Sequence, residues 1–230
     1  MDLTDPQVLY VDPALLVVDK PPGLPVHATL DRERDTLERA VLRWLTKQGQ
    51  TAELGLAHRL DVGTSGLVVL GRTREMTAKL VEIFAQRQVQ KLYLALTSRL
   101  DPLPESPLEV RNHLAANRKR EGWPVIAVHA GGDRAWTTLT QVQTSARAVL
   151  WQAELHTGRR HQIRAHLAGL GMPIVGDLDY DTPIPASRPM LHAFRLSLPH
   201  PQTGQQLDVQ APLPTDFVAV ARRLGLVLPD

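Results

Sequence analysis

The sequence predicts an α+β fold built on a mostly antiparallel sheet. Three observations lead there. Short β-rich runs recur along much of the chain; a few stretches with apolar residues at helical spacing lie among them; and no repeat, low-complexity segment or linker divides the 230 residues. A composition of 43% hydrophobic and 22% charged residues suits one compact domain able to bury a core.

The chain opens on two β-rich runs, Val8–Val11 and Leu15–Asp19, separated by an Asp-Pro turn signal. A Pro-Pro-Gly-Leu-Pro loop follows at 21–25. Asp35 with Glu38 has the form of a capping box, and Leu37, Ala40, Val41, Trp44 and Leu45 recur at helical spacing until Gly49. Residues 54–71 set a polar, glycine-bounded turn between two apolar runs, the second being Leu67–Leu70. Thr73 caps a second helix that turns Met76, Leu80, Ile83 and Phe84 inward. Lys91–Thr97 reads as a strand with Leu92, Leu94 and Leu96 on one side and Tyr93 and Ala95 on the other. Residues 99–135 read as surface loops. Trp136, Thr138, Thr140 and Val142 alternate, as do Val149, Trp151, Ala153 and Leu155, so two strands joined near Ser145 pair antiparallel. Residues 159–170 read as a helix with Ile163, Leu167 and Leu170 inward and Arg160 and Arg164 together on another face. Strands near Leu191–Leu198 and Leu207–Gln210 and a helix over 216–224 complete the chain.

Lys and Arg number 26 against 24 Asp and Glu, and this net +2 hides an uneven distribution. Residues 111–170 hold nine basic and three acidic side chains, with five of the nine histidines, between mildly acidic ends. One face of such a chain is suited to a polyanion. The absence of cysteine removes disulfide scaffolds, thiolate zinc sites, cysteine nucleophiles and nucleobase deaminases with a Cys-x-x-Cys zinc pair. Neither a signal peptide nor an apolar run long enough to span a bilayer is visible, so a cytoplasmic protein without membrane attachment is expected.

Two segments concentrate chemistry. His58-Arg59-Leu60-Asp61-Val62-Gly63-Thr64-Ser65-Gly66 puts an acid, a base and a cation in one turn, although an Asx turn with structural glycines explains the pattern as readily. In the segment 156–166, Arg160 and Arg164 lie four apart on the expected helix, where like charges cost about 0.2–0.5 kcal/mol unless an anion compensates them. A solvated basic face is the plain alternative. The histidine spacings do not give the one-face pair of a helical zinc site, and no acidic residue lies among them, so no metal is expected. Paired-carboxylate and phosphate-loop signatures are likewise absent.

These residues resemble a known family. His58-Arg59-Leu60-Asp61 followed by Thr64-Ser65-Gly66-Leu67 is similar to the signature of the RluA-type RNA pseudouridine synthases. Val17-Val18-Asp19-Lys20-Pro21-Pro22-Gly23-Leu24-Pro25-Val26-His27 resembles that family's first motif, and Lys91-Leu92-Tyr93-Leu94-Ala95 its Lys-x-Tyr-x-Ala strand. Thr157-Gly158-Arg159-Arg160-His161-Gln162-Ile163-Arg164-Ala165-His166 resembles its Gly-Arg-x-His-Gln-Ile-Arg-x-His element, with Gly176-Asp177 also in place. The motifs fall in the expected order between residues 8 and 198. The resemblance implies the pseudouridine synthase catalytic fold, a long bent mixed sheet with flanking helices and an RNA cleft, forming one domain over 1–230. It also implies the short, single-domain branch without an N-terminal S4 domain.

The implied activity is isomerisation of specific uridines in ribosomal or transfer RNA stem-loops, on a flipped-out nucleotide, without cofactor. By the same resemblance Asp61 is the catalytic carboxylate acting at C1′, as a nucleophile or by assisting loss of the base to a glycal. Arg164 is the arginine that stabilises the Asp61 carboxylate, and Tyr93 stacks under the uracil or takes a proton. Arg59 holds the vacated stack or a phosphate, and His58, Lys91, Arg160 and His161 contact RNA or support the pocket. Arg118-Lys119-Arg120 either joins the RNA grip or is a solvated loop. A monomer suffices for all of this. The competing readings are a non-catalytic RNA-binding module on the same fold and, more weakly, a metal-dependent hydrolase using His58, Asp61 and the later histidines.

Overall fold

The computed structural model describes residues 8–28, 31 and 33–228. In chain order the elements are β1 (Val8–Val11), β2 (Leu15–Lys20), α1 (Leu37–Lys47), β3 (Gly55–Leu56), β4 (Ser65–Gly71), α2 (Arg74–Ala85), β5 (Gln90–Ser98) and β6 (Leu108–Ala116). They continue with β7 (Val125–Val128), β8 (Asp133–Thr144), β9 (Ala148–Leu155), α3 (Gln162–Gly169), β10 (Leu191–Pro199), β11 (Gln206–Gln210) and α4 (Thr215–Arg223). The α+β class and the antiparallel pairing expected from the sequence are borne out. The chain divides into two compact units, Met1–Gln90 with Ala193–Ala211 and Lys91–His192 with Pro212–Asp230.

In the first unit β2 pairs with both β1 and β4, and β10 pairs with β11. Period-two alternation turns Leu15 and Val17 of β2 and Leu67 and Val69 of β4 into one apolar layer, closed by Leu80 of α2 and by Leu196, Leu198 and Val209. Thr73 caps α2 as the sequence suggests, its hydroxyl accepting the Met76 N–H. The α1 cap falls one residue later than expected. Thr36, not Asp35, is the extended residue whose Oγ1 accepts the Arg39 N–H, while Asp35 accepts the Thr36 N–H and binds Arg43.

In the second unit the strands run β5-β9-β8-β6-β7. The segment expected to be loop, 99–135, contains β6 and β7. Its inward positions Val110, Asn112 and Leu114 do alternate, but the polar Asn112 interrupts the apolar pattern. The reason lies in α3. Gln162 and His166, one turn apart, both face β8 and build a buried polar network. Gln162 Nε2 donates to Trp136 O at 2.9 Å and to Thr137 Oγ1 at 2.8 Å, and its Oε1 accepts from Thr157 Oγ1 at 2.7 Å and from the Arg159 N–H at 3.0 Å. His166 Nε2 faces the amide oxygen of Asn112, which can only accept, so in the neutral ring Nε2 carries the proton and Nδ1 accepts the Thr137 hydroxyl proton from 2.9 Å away. His166 Nε2–H then donates to Asn112 Oδ1 at 3.0 Å. Asn112 is thus a polar residue at an inward site because α3 presents it with a donor.

The helix starts at Gln162, later than the sequence suggests, because His161 adopts left-handed backbone at φ +53°. Arg160 is therefore outside the helix and exposed while Arg164 is buried. The two arginines do not share a helical face, and the expected like-charge repulsion does not arise.

Burial pushes the His166 imidazole down to a pKa of about 4. The unfolded chain, near 6.5, takes up this proton first on acidification, so the contribution is full above pH 6.5 and lost as pH falls toward 4. Urea unfolding of the wild type and of His166→Asn between pH 7 and pH 4 should show the wild type losing about 3 kcal/mol more than the variant.

Candidate active site

The first unit presents Asp61 on a turn whose backbone is fastened on several sides. The Asp61 carbonyl accepts the Thr64 N–H at 3.1 Å, closing the turn locally. The carbonyl of Val62 accepts both the Gly23 N–H at 2.8 Å and Lys20 Nζ at 3.3 Å. Lys20 is fully buried, and its ammonium also donates to the carbonyls of Pro21 and Leu24, each at 2.9 Å. The Pro-Pro-Gly-Leu-Pro loop is thereby clipped to the Asp61 turn by one cation. On the downstream side, Gly66 stands at φ +110°, and a Cβ there would meet Ala193 O at 2.3 Å, so glycine is required where β4 begins.

Within this turn Leu60 is buried, Asp61 half-buried and Arg59 exposed. His58 accepts the Val69 N–H at its Nε2 and stacks on Phe84 with ring centroids 4.7 Å apart. That gives His58 a task in holding β4 which the sequence did not signal. Burial also pushes the Asp19 carboxyl up to a pKa of about 6, against the opposing pull of neighbouring Lys20.

The second unit holds Tyr93, Lys91, Arg160, His161 and Arg164. Tyr93 lies on β5 opposite Ala153 of β9, turned away from Leu92 and Leu94 as alternation predicts, and is largely buried. The Lys91 ammonium lies beside Gly158 in the turn before α3, 3.6 Å from where a Cβ would stand. Arg164 points away from the Gln162 and His166 side of α3. Its Nε and Nη2 donate to the two oxygens of Asp177, both at 2.6 Å, and Nη2 donates also to Asp179 at 2.6 Å. The pair with Asp177 is almost wholly shielded from solvent, at 6% and 1% side-chain exposure.

Tyr180 completes the cluster. Its ring lies 5.2 Å from the Arg164 guanidinium, its hydroxyl donates to Val125 O at 2.9 Å and accepts the Val125 N–H at 3.0 Å, and His161 Nδ1 lies 3.3 Å from the same oxygen. Arg160 reaches the Gly122 carbonyl at 2.9 Å. The structure thus gathers Arg164 and His161 around a segment, 177–181, of which the family motif includes only Asp177, while Arg160 binds the turn between β6 and β7. Lys20, Asp179 and Tyr180 were not singled out. The rarity of tyrosine, three in the chain, was the one available signal for Tyr180. Among the described residues no group of three or more His, Asp or Glu side chains is arranged to hold a metal ion.

The family model described as RNA pseudouridylate synthase matches residues 14–169, a stretch that includes Lys20, Asp61, Tyr93 and Arg164. The chain belongs to the RNA pseudouridylate synthase family. The resemblance read from the motifs is borne out. A ribosomal large subunit pseudouridine synthase D of Nitrosomonas europaea is 33% identical over 231 residues, spanning 95% of this chain and 65% of that protein. A tRNA pseudouridine synthase C of Salmonella typhi is 34% identical over 244 residues, spanning 97% and 92%. The chain therefore covers just under two thirds of the first relative and nearly all of the second. Human RNA Pseudouridylate Synthase Domain Containing 4 superposes with a TM-score of 0.79 at 29% identity, over 97% of this chain and 94% of that one.

Removing charge from the buried partner of Arg164 leaves the guanidinium only its single contact with Asp179, which is 43% exposed and open to water. Asp177→Asn should lower the unfolding free energy by about 3–5 kcal/mol and Asp179→Asn by about 1 kcal/mol or less. Urea denaturation followed by circular dichroism checks both.

Proposed function

We propose that the protein is an RNA pseudouridine synthase, isomerising uridine to pseudouridine in stem-loops of ribosomal or transfer RNA, and that it works as a cofactor-independent monomer in the cytoplasm. The observation that carries this reading is a carboxylate, Asp61, on a turn clipped by Lys20 and Gly23, inside the stretch that matches the family. The relatives named for large-subunit ribosomal RNA and for transfer RNA supply the two substrate classes.

In the reaction the C1′–N1 bond of the uridine breaks, the uracil turns, and a C1′–C5 bond forms. C5 then loses its hydrogen as a proton and N1 gains one, so atoms balance without an oxidant or a metal. Asp61 acts at C1′, either by adding to it, the new C1′–O bond breaking as C1′–C5 forms, or by assisting departure of the base while C2′ gives up a proton that returns to it when C1′–C5 forms. The role of Arg164 is to stabilise the Asp61 carboxylate. Its own position is set by Asp177, Asp179 and the Tyr180 ring. Tyr93 stacks on the uracil or accepts the proton. The target must leave its stack, at a cost of a few kcal/mol. Arg59, exposed beside Asp61, fills the gap or holds a phosphate, while His58, Lys91, Arg160 and His161 steady the RNA and the walls of the site.

RNA carrying tritium at uracil C5 should release label to water with the wild type, and Asp61→Asn should reduce release at least a thousandfold. Full activity in Asp61→Asn would sink the mechanism. A wild-type protein that binds RNA but releases no tritium would instead be the non-catalytic module. For Arg59→Ala, turnover should fall further than RNA affinity does; equal losses would reduce Arg59 to a phosphate anchor.

A further inference from the structure

The turn between β6 and β7, residues 117–124, has no part in the chemistry above, yet it is a constructed feature. It carries Arg118, Lys119 and Arg120 in a row and then Trp123, which is 52% exposed. The three other tryptophans are buried or half-buried. Trp123 sits in left-handed backbone at φ +49°, a conformation that costs a bulky side chain about 1–2 kcal/mol. Something must offset that cost, and the ties are visible. Asn117 N–H donates to Pro124 O at 2.7 Å, the Trp123 N–H donates to Arg120 O at 3.1 Å, and Arg160 holds the Gly122 carbonyl. Arg120 makes a two-point ion pair with Asp181 at 2.8 and 2.9 Å. Immediately beyond the turn, Tyr180 grips both backbone groups of Val125 while its ring lies against Arg164.

The outcome is an indole held away from the core, flanked by cations and tied through Tyr180 to the arginine of the site. The Arg118 guanidinium lies 5.8 Å over the indole ring. A flat, π-faced ligand bearing negative charge matches this surface: the indole offers a stacking face, and Arg118 and Lys119 meet phosphate oxygens. Paired RNA hides its base faces, so the ligand is an unpaired nucleotide.

We propose that Trp123, with Arg118 and Lys119, forms a stacking subsite for an unpaired nucleotide of the substrate RNA. This assignment rests on the isomerase reading above and adds to it a residue that selects loop RNA over duplex RNA.

The test is tryptophan fluorescence of the full chain titrated with a single-stranded oligouridine 12-mer and with a fully paired RNA duplex. The wild type should be quenched by the single strand and much less by the duplex, and Trp123→Phe should lose that quench while keeping most of the affinity. Trp123→Ala should bind the 12-mer about 5- to 150-fold more weakly, the ratio expected for a stack of about 1–3 kcal/mol, and its KM in tritium release should rise by a similar factor. Equal quenching in wild type and Trp123→Phe, or unchanged affinity in Trp123→Ala, overturns the subsite and leaves the turn as a protein-docking surface. The two readings fail separately. Tritium release with an unchanged KM in Trp123→Ala keeps the isomerase and removes the subsite; Trp123-dependent binding without release removes the isomerase and keeps an RNA-binding subsite.

Discussion

The buried pair between Arg164 and Asp177 is the constraint around which the second unit is arranged. A guanidinium and a carboxylate removed from water cost several kcal/mol each, and only a bidentate geometry with further hydrogen bonds returns that cost. The surroundings meet those terms: two short bonds to Asp177, a third to Asp179, and the Tyr180 ring against the cation. Helix α3, eight residues long, is too short to be stable alone and takes its position from these contacts on one side and from the neutral Gln162–Thr137–His166 network on the other. Ionic and neutral polar contacts thus hold opposite faces of one short helix. The orientation of Arg164 follows from the packing of the unit, so a role for this arginine near a substrate carries no ordering cost at the moment of use.

The first unit solves a related problem with a cation and backbone. A loop that displays a carboxylate must be rigid, yet its own residues, Val62 and Gly63, offer little to pack. Lys20 supplies the rigidity from the end of β2, where the β-sheet fixes its Cα, by reaching the carbonyls of Pro21, Leu24 and Val62. Three carbonyl dipoles solvate the ammonium in place of water, and the two loops become one object. Gly66 then lets β4 begin at a backbone contact that no side chain tolerates.

Much of this was legible in the residues, for identifiable reasons. Strand β5 and helix α2 follow from period and capping alone, because their apolar patterns are unbroken. Asp61, Tyr93 and Arg164 stood out through their motifs. What escaped were features whose cause lies outside the local segment. Strands β6 and β7 escaped because Asn112, inward for the sake of His166, breaks an otherwise alternating pattern. The start of α3 was misplaced because a left-handed residue such as His161 leaves no compositional mark. Asp179 and Tyr180 were invisible because their partners, Arg164 and Val125, are 15 and 55 residues away. Lys20 lay in plain sight within a motif, but nothing local says that a lysine at a strand end is fully buried.

The basic excess of residues 111–170 also changes meaning once its members are placed. Of the nine cations, Arg164 is internal, Arg120 is paired with Asp181, Arg111 with Glu109 while lying 4.0 Å over the Trp136 ring, and Arg159 approaches Asp133. The remaining five, Arg118, Lys119, Arg134, Arg147 and Arg160, are exposed and meet no carboxylate among the described residues. Because the salt dependence of nucleic-acid binding counts only charges that displace counterions from phosphates, these five set its upper range for the segment, and not the nine that composition suggests. A formal excess is therefore a poor measure of grip. About half of the cations build the protein, and an RNA affinity beyond what the other half supply has to come from contacts that salt does not screen, such as the stack proposed at Trp123.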